Sequence, residues 1–149
     1  MKAYDPHAAV SVVWHGDPAV DKEKSDIGDR FLIESLDKPD LWRERLVFKE
    51  GKHPTEWVIG IVPPAEMNQA EAMTGASARA WYVFLRSVRD IRGDGGLGKP
   101  KKVQRDGVEY VDPEWLAGVM GGHNRRCAID LGLIAYRWQD LSGDDVKNS

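Results

Sequence analysis

A single cysteine, Cys127, stands in this chain, so no internal disulfide can form and nothing calls for an oxidising compartment. Long apolar runs are missing as well. Ala8 to Trp14 comes nearest and falls far short of the roughly 20 residues a membrane helix needs. The opening Met1 to His7 lacks the apolar stretch of a secretion signal. Neither sign of charge dominates. The 24 acidic and 21 basic residues leave a net charge of −3, which gives no global attraction to nucleic acid or to an anionic membrane. The expectation is a cytosolic chain with no membrane contact. What the chain does hold suits one folded domain: 149 residues, 42% hydrophobic, with six tryptophans to act as large core anchors.

Along the chain, β-prone segments come first and helical patterns later. Ala8 to Trp14 is apolar and β-branched and reads as a strand. A polar, acidic loop from Gly16 to Asp29 follows, then Phe31 to Leu36 as a second strand ended by Asp37-Lys38-Pro39. Leu41 to Glu44 either starts a helix or continues extended. Arg45 to Lys49 and Glu56 to Val62, separated by Glu50 to Pro54, predict a β-hairpin with a five-residue loop. Pro64 suits the first turn of a short helix to about Met73, with Glu66 near its positive end. Ala76 to Ile91 carries Trp81, Phe84, Leu85, Val88 and Ile91 at helical spacing. Gly93 to Pro100 is a loop. The pair Asp106-Gly107 predicts a second hairpin over 102–111, and Asp112 with Pro113 predicts a capped helix start. Gly121-Gly122 separates that helix from a last one over Asn124 to Leu141. The expected fold is α+β in one domain, 1–149: a small N-terminal antiparallel β portion over 8–62, a helical part over 64–141 with the hairpin 102–111, and a short acidic tail, 142–149.

Several motifs invite chemistry and meet plainer readings. Gly93 to Gly98-Lys99 has the letters of a phosphate-cradling loop, yet Pro100 stands where Ser or Thr should hold magnesium, and a hairpin follows where a helix should. A loop between elements is the reading. Lys99, Lys101, Lys102 and Arg105 could grip phosphates, but no aromatic residue is interleaved, so a solvated hairpin edge is preferred. His123 and Cys127 have metal-ligand spacing but lack further ligands nearby, and the acidic loop lacks calcium-loop spacing. No metal and no cofactor are expected. Ser11 and His15 are a possible nucleophile and base without an elbow, an oxyanion turn or an orienting acid at recognisable spacing. The chain therefore reads as a non-enzyme.

The last helix carries the remaining signal. Cys127, Leu131, Ile134, Trp138 and Leu141 are spaced 4, 3, 4 and 3 and form one apolar seam, which Ile129, Leu133 and Tyr136 widen. Two readings of that seam compete: a docking face for a partner helix, or the domain's own core. The element order, with Asp112-Pro113-Glu114-Trp115-Leu116 through Leu141-Ser142-Gly143-Asp144-Asp145-Val146-Lys147-Asn148-Ser149, resembles the tail assembly chaperones of long-tailed, siphophage-type bacteriophages. The second half of the chain resembles them more closely than the first, and the N-terminal acidic loop is longer than the family pattern. The closing Lys-Asn pair is what a slippery A-rich codon run would encode; in that family such a run appends a longer C-terminal extension. The resemblance implies a non-enzymatic protein of the host cytoplasm that coats the tape-measure protein while tail tube subunits polymerise around it. It further implies partner contacts at Trp115, Leu131, Ile134, Trp138 and Leu141, with self-association possible. The alternatives are a structural head–tail or tail component retained in the virion, and a small nucleic-acid-binding regulator using the Lys99 to Arg105 hairpin.

Overall fold

The computed structural model describes residues 5–93 and 96–148. In chain order the elements are strand β1 (Ala9–Val13), helices α1 (Phe31–Asp37) and α2 (Trp42–Arg45), strand β2 (Glu56–Gly60), helices α3 (Pro64–Ala72) and α4 (Ala76–Ser87), and strand β3 (Val88–Arg92). Strands β4 (Lys102–Arg105) and β5 (Val108–Val111), helix α5 (Pro113–Met120), a short 3-10 turn (Gly122–Asn124) and helix α6 (Arg125–Asn148) complete it. The fold is α+β, with an antiparallel sheet in the order β1-β2-β3 and a separate β4-β5 hairpin. Among the described residues, no helix is long and apolar enough to cross a membrane.

The central strand β2 explains the arrangement. Trp57 and Ile59 point into the main core, where Val83, Phe84 and Val88 meet them, and the rings of Trp57 and Phe84 pack edge to face 5.5 Å apart. Both neighbours of β2 come from far away in sequence: Val12 pairs with Trp57 on one side and Ile91 with Trp57 on the other. The hairpin predicted from Arg45–Lys49 against Glu56–Val62 does not form. Leu46 and Phe48 instead join Val13, Val20, Phe31, Leu41 and Trp42 in a second, smaller core, and only Phe48 makes a bridge, to Val20. Trp42 also donates its indole N–H to Ser11 O at 2.9 Å, which covers part of the open edge of β1.

Two further predicted elements change type. Phe31 to Leu36 is helix, not strand. An alternating pattern would bury Phe31, Ile33 and Ser35 together, whereas the structure buries Phe31 and Ser35, four apart, and leaves Ile33 54% exposed. The Ser35 hydroxyl donates to Phe31 O, as a helical i to i−4 contact does. The helix expected over Ala76 to Ile91 ends at Ser87, and Val88 to Arg92 turns into the edge strand β3. Val88 is completely buried in the strand, and β-branched Val88 and Ile91 favour the pleated geometry once β2 offers a partner. The segment 8–62 thus holds two strands and two short helices rather than a run of strands.

The predictions made from turn chemistry agree with the structure. Asp106 and Gly107 have φ of 52° and 77°, the left-handed pair that a tight hairpin turn requires. Asp112 caps α5 by accepting the Glu114 N–H at 3.1 Å, and Pro113 and Pro64 begin their helices. The last helix begins at Arg125. It does not stop at Leu141, since the backbone stays helical through Ser142 and Gly143 to Asn148, so residues 142–148 are not a separate tail. Gly143 costs a helix interior about 1 kcal/mol relative to alanine but leaves every backbone donor in place, unlike a proline.

Candidate functional site

Helix α6 is the longest element, and its contact with α4 is the most extensive between any two elements. Small residues make that contact possible. At Gly132 an added Cβ would lie 2.0 Å from Ala80 O, so the two backbones touch with no room for a side chain. Ala128 and Ala135, fully buried, lie near Gly132 on the helix surface. Helix α1 also packs along α6 and is tied to it by Asp37, whose carboxylate accepts from Arg137 at 3.1 Å.

These contacts decide the position of each residue expected to bind a partner. Leu131 is 0% and Ile134 5% exposed, both within the main core together with Cys127. Trp115 and Trp138 are partly buried and packed against the same core. The side chain of Leu141 lies outside the described residues. The predicted seam is therefore the domain's own core in its buried part, and a partner cannot reach Leu131 or Ile134 without unfolding the protein. The open face of α6 is the narrower stripe on its other side. Ile129, Leu133 and Tyr136 are half-buried there, with Arg125, Arg126, Arg137 and Asp140 exposed around them. Tyr136 reaches the main core, while Ile129 and Leu133 belong to neither cluster. Arg125 and Arg79 lie over the rings of Trp81 and Tyr136, with centroid distances of 4.7 and 5.3 Å.

The polar groups singled out in the sequence are engaged in packing. Ser11 Oγ donates to Glu56 Oε1 at 2.8 Å across the β1–β2 pair, so it is not set against His15. Asp130, a buried carboxylate that sequence spacing did not pick out, accepts the Trp14 indole N–H at 2.9 Å and lies 3.3 Å from Arg126 Nε. It pins β1 to α6, and the signal available for it was a single charge on the buried side of an amphipathic helix. Burial, together with the charges of Asp130 and Asp17, pushes the Cys127 thiol well above its ordinary range, so it is a protonated core group and no nucleophile. Asp17 is buried too, against the expectation of a solvated loop. Its two oxygens accept from Ala19 N at 2.8 Å and Thr55 N at 3.0 Å and join the two loops. Two open clefts of about 450 and 360 Å³ flank that junction and share Asp17, Pro18 and Lys49.

The basic hairpin has carboxylate partners. Lys101 pairs with Asp112 at 3.5 Å, Lys102 with Asp90 at 3.1 Å, and Arg105 with Glu66 at 2.7 Å while its guanidinium stacks over Tyr110. Neutralised in this way, it is a poorer grip for phosphate than the sequence alone suggests. Gly93 has φ +96°, and a Cβ there would meet Pro54 O at 2.2 Å, which accounts for the first glycine of the phosphate-loop letters by a backbone crossing. Asp94 and Gly95 of that motif lie outside the described residues. No group of three or more His, Cys, Asp or Glu among the described residues is placed to hold a metal ion.

His15 sits half-buried between the rings of Trp14 and Phe31, each 5.9 Å away by centroid. Burial lowers its pKa from the ordinary 6.5; Asp130 opposes this, and Arg126 and Lys22 add to it. Because the folded state holds the proton less tightly than the unfolded chain, this contribution to stability is complete above pH 6.5 and is lost as pH falls through the lowered folded value. Urea midpoints between pH 7.5 and 5 should fall more steeply for the native chain than for His15→Gln; equal slopes would remove His15 as the cause. Set against protein-family models, curated proteins and solved structures, the chain matches none of them.

Proposed function

We propose that this protein works by binding another protein, as a tail assembly chaperone of a long-tailed bacteriophage does when it covers the helical tape-measure protein and assists tail tube polymerisation in the host cytoplasm. The observation that carries the reading is the outer stripe of α6: Ile129, Leu133 and Tyr136, half-buried in a row and bordered by Arg125, Arg126, Arg137 and Asp140. An amphipathic partner helix laid along it would bury its own apolar face against the row and set its charges against the bordering arginines. The engagement of Ser11, Cys127 and Asp130 in internal contacts supports binding over catalysis. The contact residues differ from those expected at first, since the stripe replaces Leu131 and Ile134.

Co-expression with the tape-measure protein, followed by pull-down, tests this. Capture should occur with the native chain and fall by at least about tenfold when Ile129 and Leu133 both become Asp, with the circular dichroism spectrum unchanged. No capture by the native chain, or equal capture by the variant, would refute the assignment. The codons under Val146-Lys147-Asn148 give an independent check, because a chaperone of this kind should carry a slippery heptamer there.

A further inference from the structure

We propose that the outer stripe of α6 is also a self-association face, occupied by the same stripe of a second copy lying antiparallel, with Leu133 on the two-fold axis. Arg126, Leu133 and Asp140 are spaced seven apart, two helical turns each, so they share one line along the helix over about 21 Å. Ile129 and Tyr136 lie on the adjacent line, again seven apart. Arg126 touches Asp130 through Nε at 3.3 Å yet is 78% exposed on its side chain, Asp140 is exposed, and Ile129, Leu133 and Tyr136 are half-buried.

The charge order on this line is what selects the occupant. A two-fold axis through Leu133 and perpendicular to α6 carries each residue to one equally far on the other side. Arg126 of one copy then faces Asp140 of the other, and the symmetry repeats the pair at the opposite end. Ile129 of one copy, four residues before the axis, falls within one residue of Tyr136 of the other, three after it, also twice, while the two Leu133 side chains meet at the centre. One surface thus supplies two opposite-charge pairs and three apolar contacts to its own copy, the self-complementarity that an isologous interface requires. A parallel pairing would put Arg126 against Arg126 and Asp140 against Asp140, which is repulsive at both ends.

This pairing is read on the purified chain alone, so it stands or falls separately from the partner binding proposed above. Sedimentation at rising concentration should show a monomer–dimer equilibrium that Leu133→Asp abolishes. Asp140→Arg, or Arg126→Asp with the added loss of its Asp130 contact, should alone weaken the dimer about tenfold, because each turns two attractive pairs repulsive, and the double variant should restore it. Mild oxidation of Leu133→Cys should give a covalent dimer. Ile129→Cys should not, since those positions lie about 12 Å apart along the pair, beyond the roughly 7 Å a disulfide spans between Cα atoms. The buried native Cys127 adds no background. A chain that stays monomeric to about 1 mM would overturn the proposal, even if a foreign helix takes the stripe. So would a dimer that survives Leu133→Asp, a double variant no tighter than the single ones, or equal cross-linking of the two cysteine variants.

Discussion

Replacing Gly132 by alanine should destabilise the protein by about 3 kcal/mol or more and lower its Tm by about 10 °C. Adding one methyl to a helix ordinarily helps, since glycine costs a helix interior about 1 kcal/mol relative to alanine. Here that gain is overwhelmed. The new Cβ would sit 2.0 Å from Ala80 O, 2.5 Å from Ala80 C and 3.0 Å from Ala80 Cα, and each of these is backbone, so no rotamer change relieves the clash. Helix α4 has to retreat by more than 1 Å, and it carries Val83, Phe84 and Leu85 of the main core with it. Gly118, inside α5, is the internal control, because nothing lies within 4 Å of its added Cβ. Gly118→Ala should therefore gain about 0.5–1 kcal/mol through helix propensity and a less free unfolded chain. Paired urea melts read both effects, and a shift of the two alanine variants in the same direction would rule out the backbone clash at Gly132 as the cause.

How far the fold could be read in the sequence follows from the range of the forces involved. Features set within four residues were legible: the Asp106-Gly107 turn, the Asp112 cap with Pro113, the start at Pro64. They depend on backbone conformation and on hydrogen bonds to near neighbours, which the local residues dictate. Features set by distant partners were not. Arg45–Lys49 has the composition of a strand, but the partner of Glu56–Gly60 is Ala9–Val13, more than 40 positions earlier, and nothing local distinguishes the two choices. Val88–Ile91 continues a helical pattern without a break. It becomes strand because β2 has an open edge for it, a fact that exists only after folding. Phe31–Leu36 is short enough to satisfy both periods, and the burial of Ser35 against the exposure of Ile33 resolves it only in three dimensions.

The same division runs through α6, where a substitution at Leu131 and one at Leu133 should differ greatly in cost although two positions separate them. Leu131→Asp removes a fully buried side chain, a loss of about 2–5 kcal/mol even as alanine, and then places a charge with no partner in the core. Against the 5–15 kcal/mol that hold a typical domain, this chain should be largely unfolded at 25 °C. Leu133→Asp removes a half-buried side chain that belongs to neither core cluster and should cost about 1 kcal/mol, within reach of the lower helix propensity of Asp alone. Thermal unfolding followed by circular dichroism separates them: no cooperative transition for the first, a Tm within a few degrees of native for the second. Equal loss at both positions would mean that the outer stripe is core as well and has nothing to offer a second molecule. Apolar spacing alone ranked Leu131 ahead of Leu133, because a seam of five outweighs a row of three. What the spacing omits is which side the glycine and alanines face. Ala128, Gly132 and Ala135 bring α4 onto α6, and with that helix in place the larger seam closes over and the smaller row stays open.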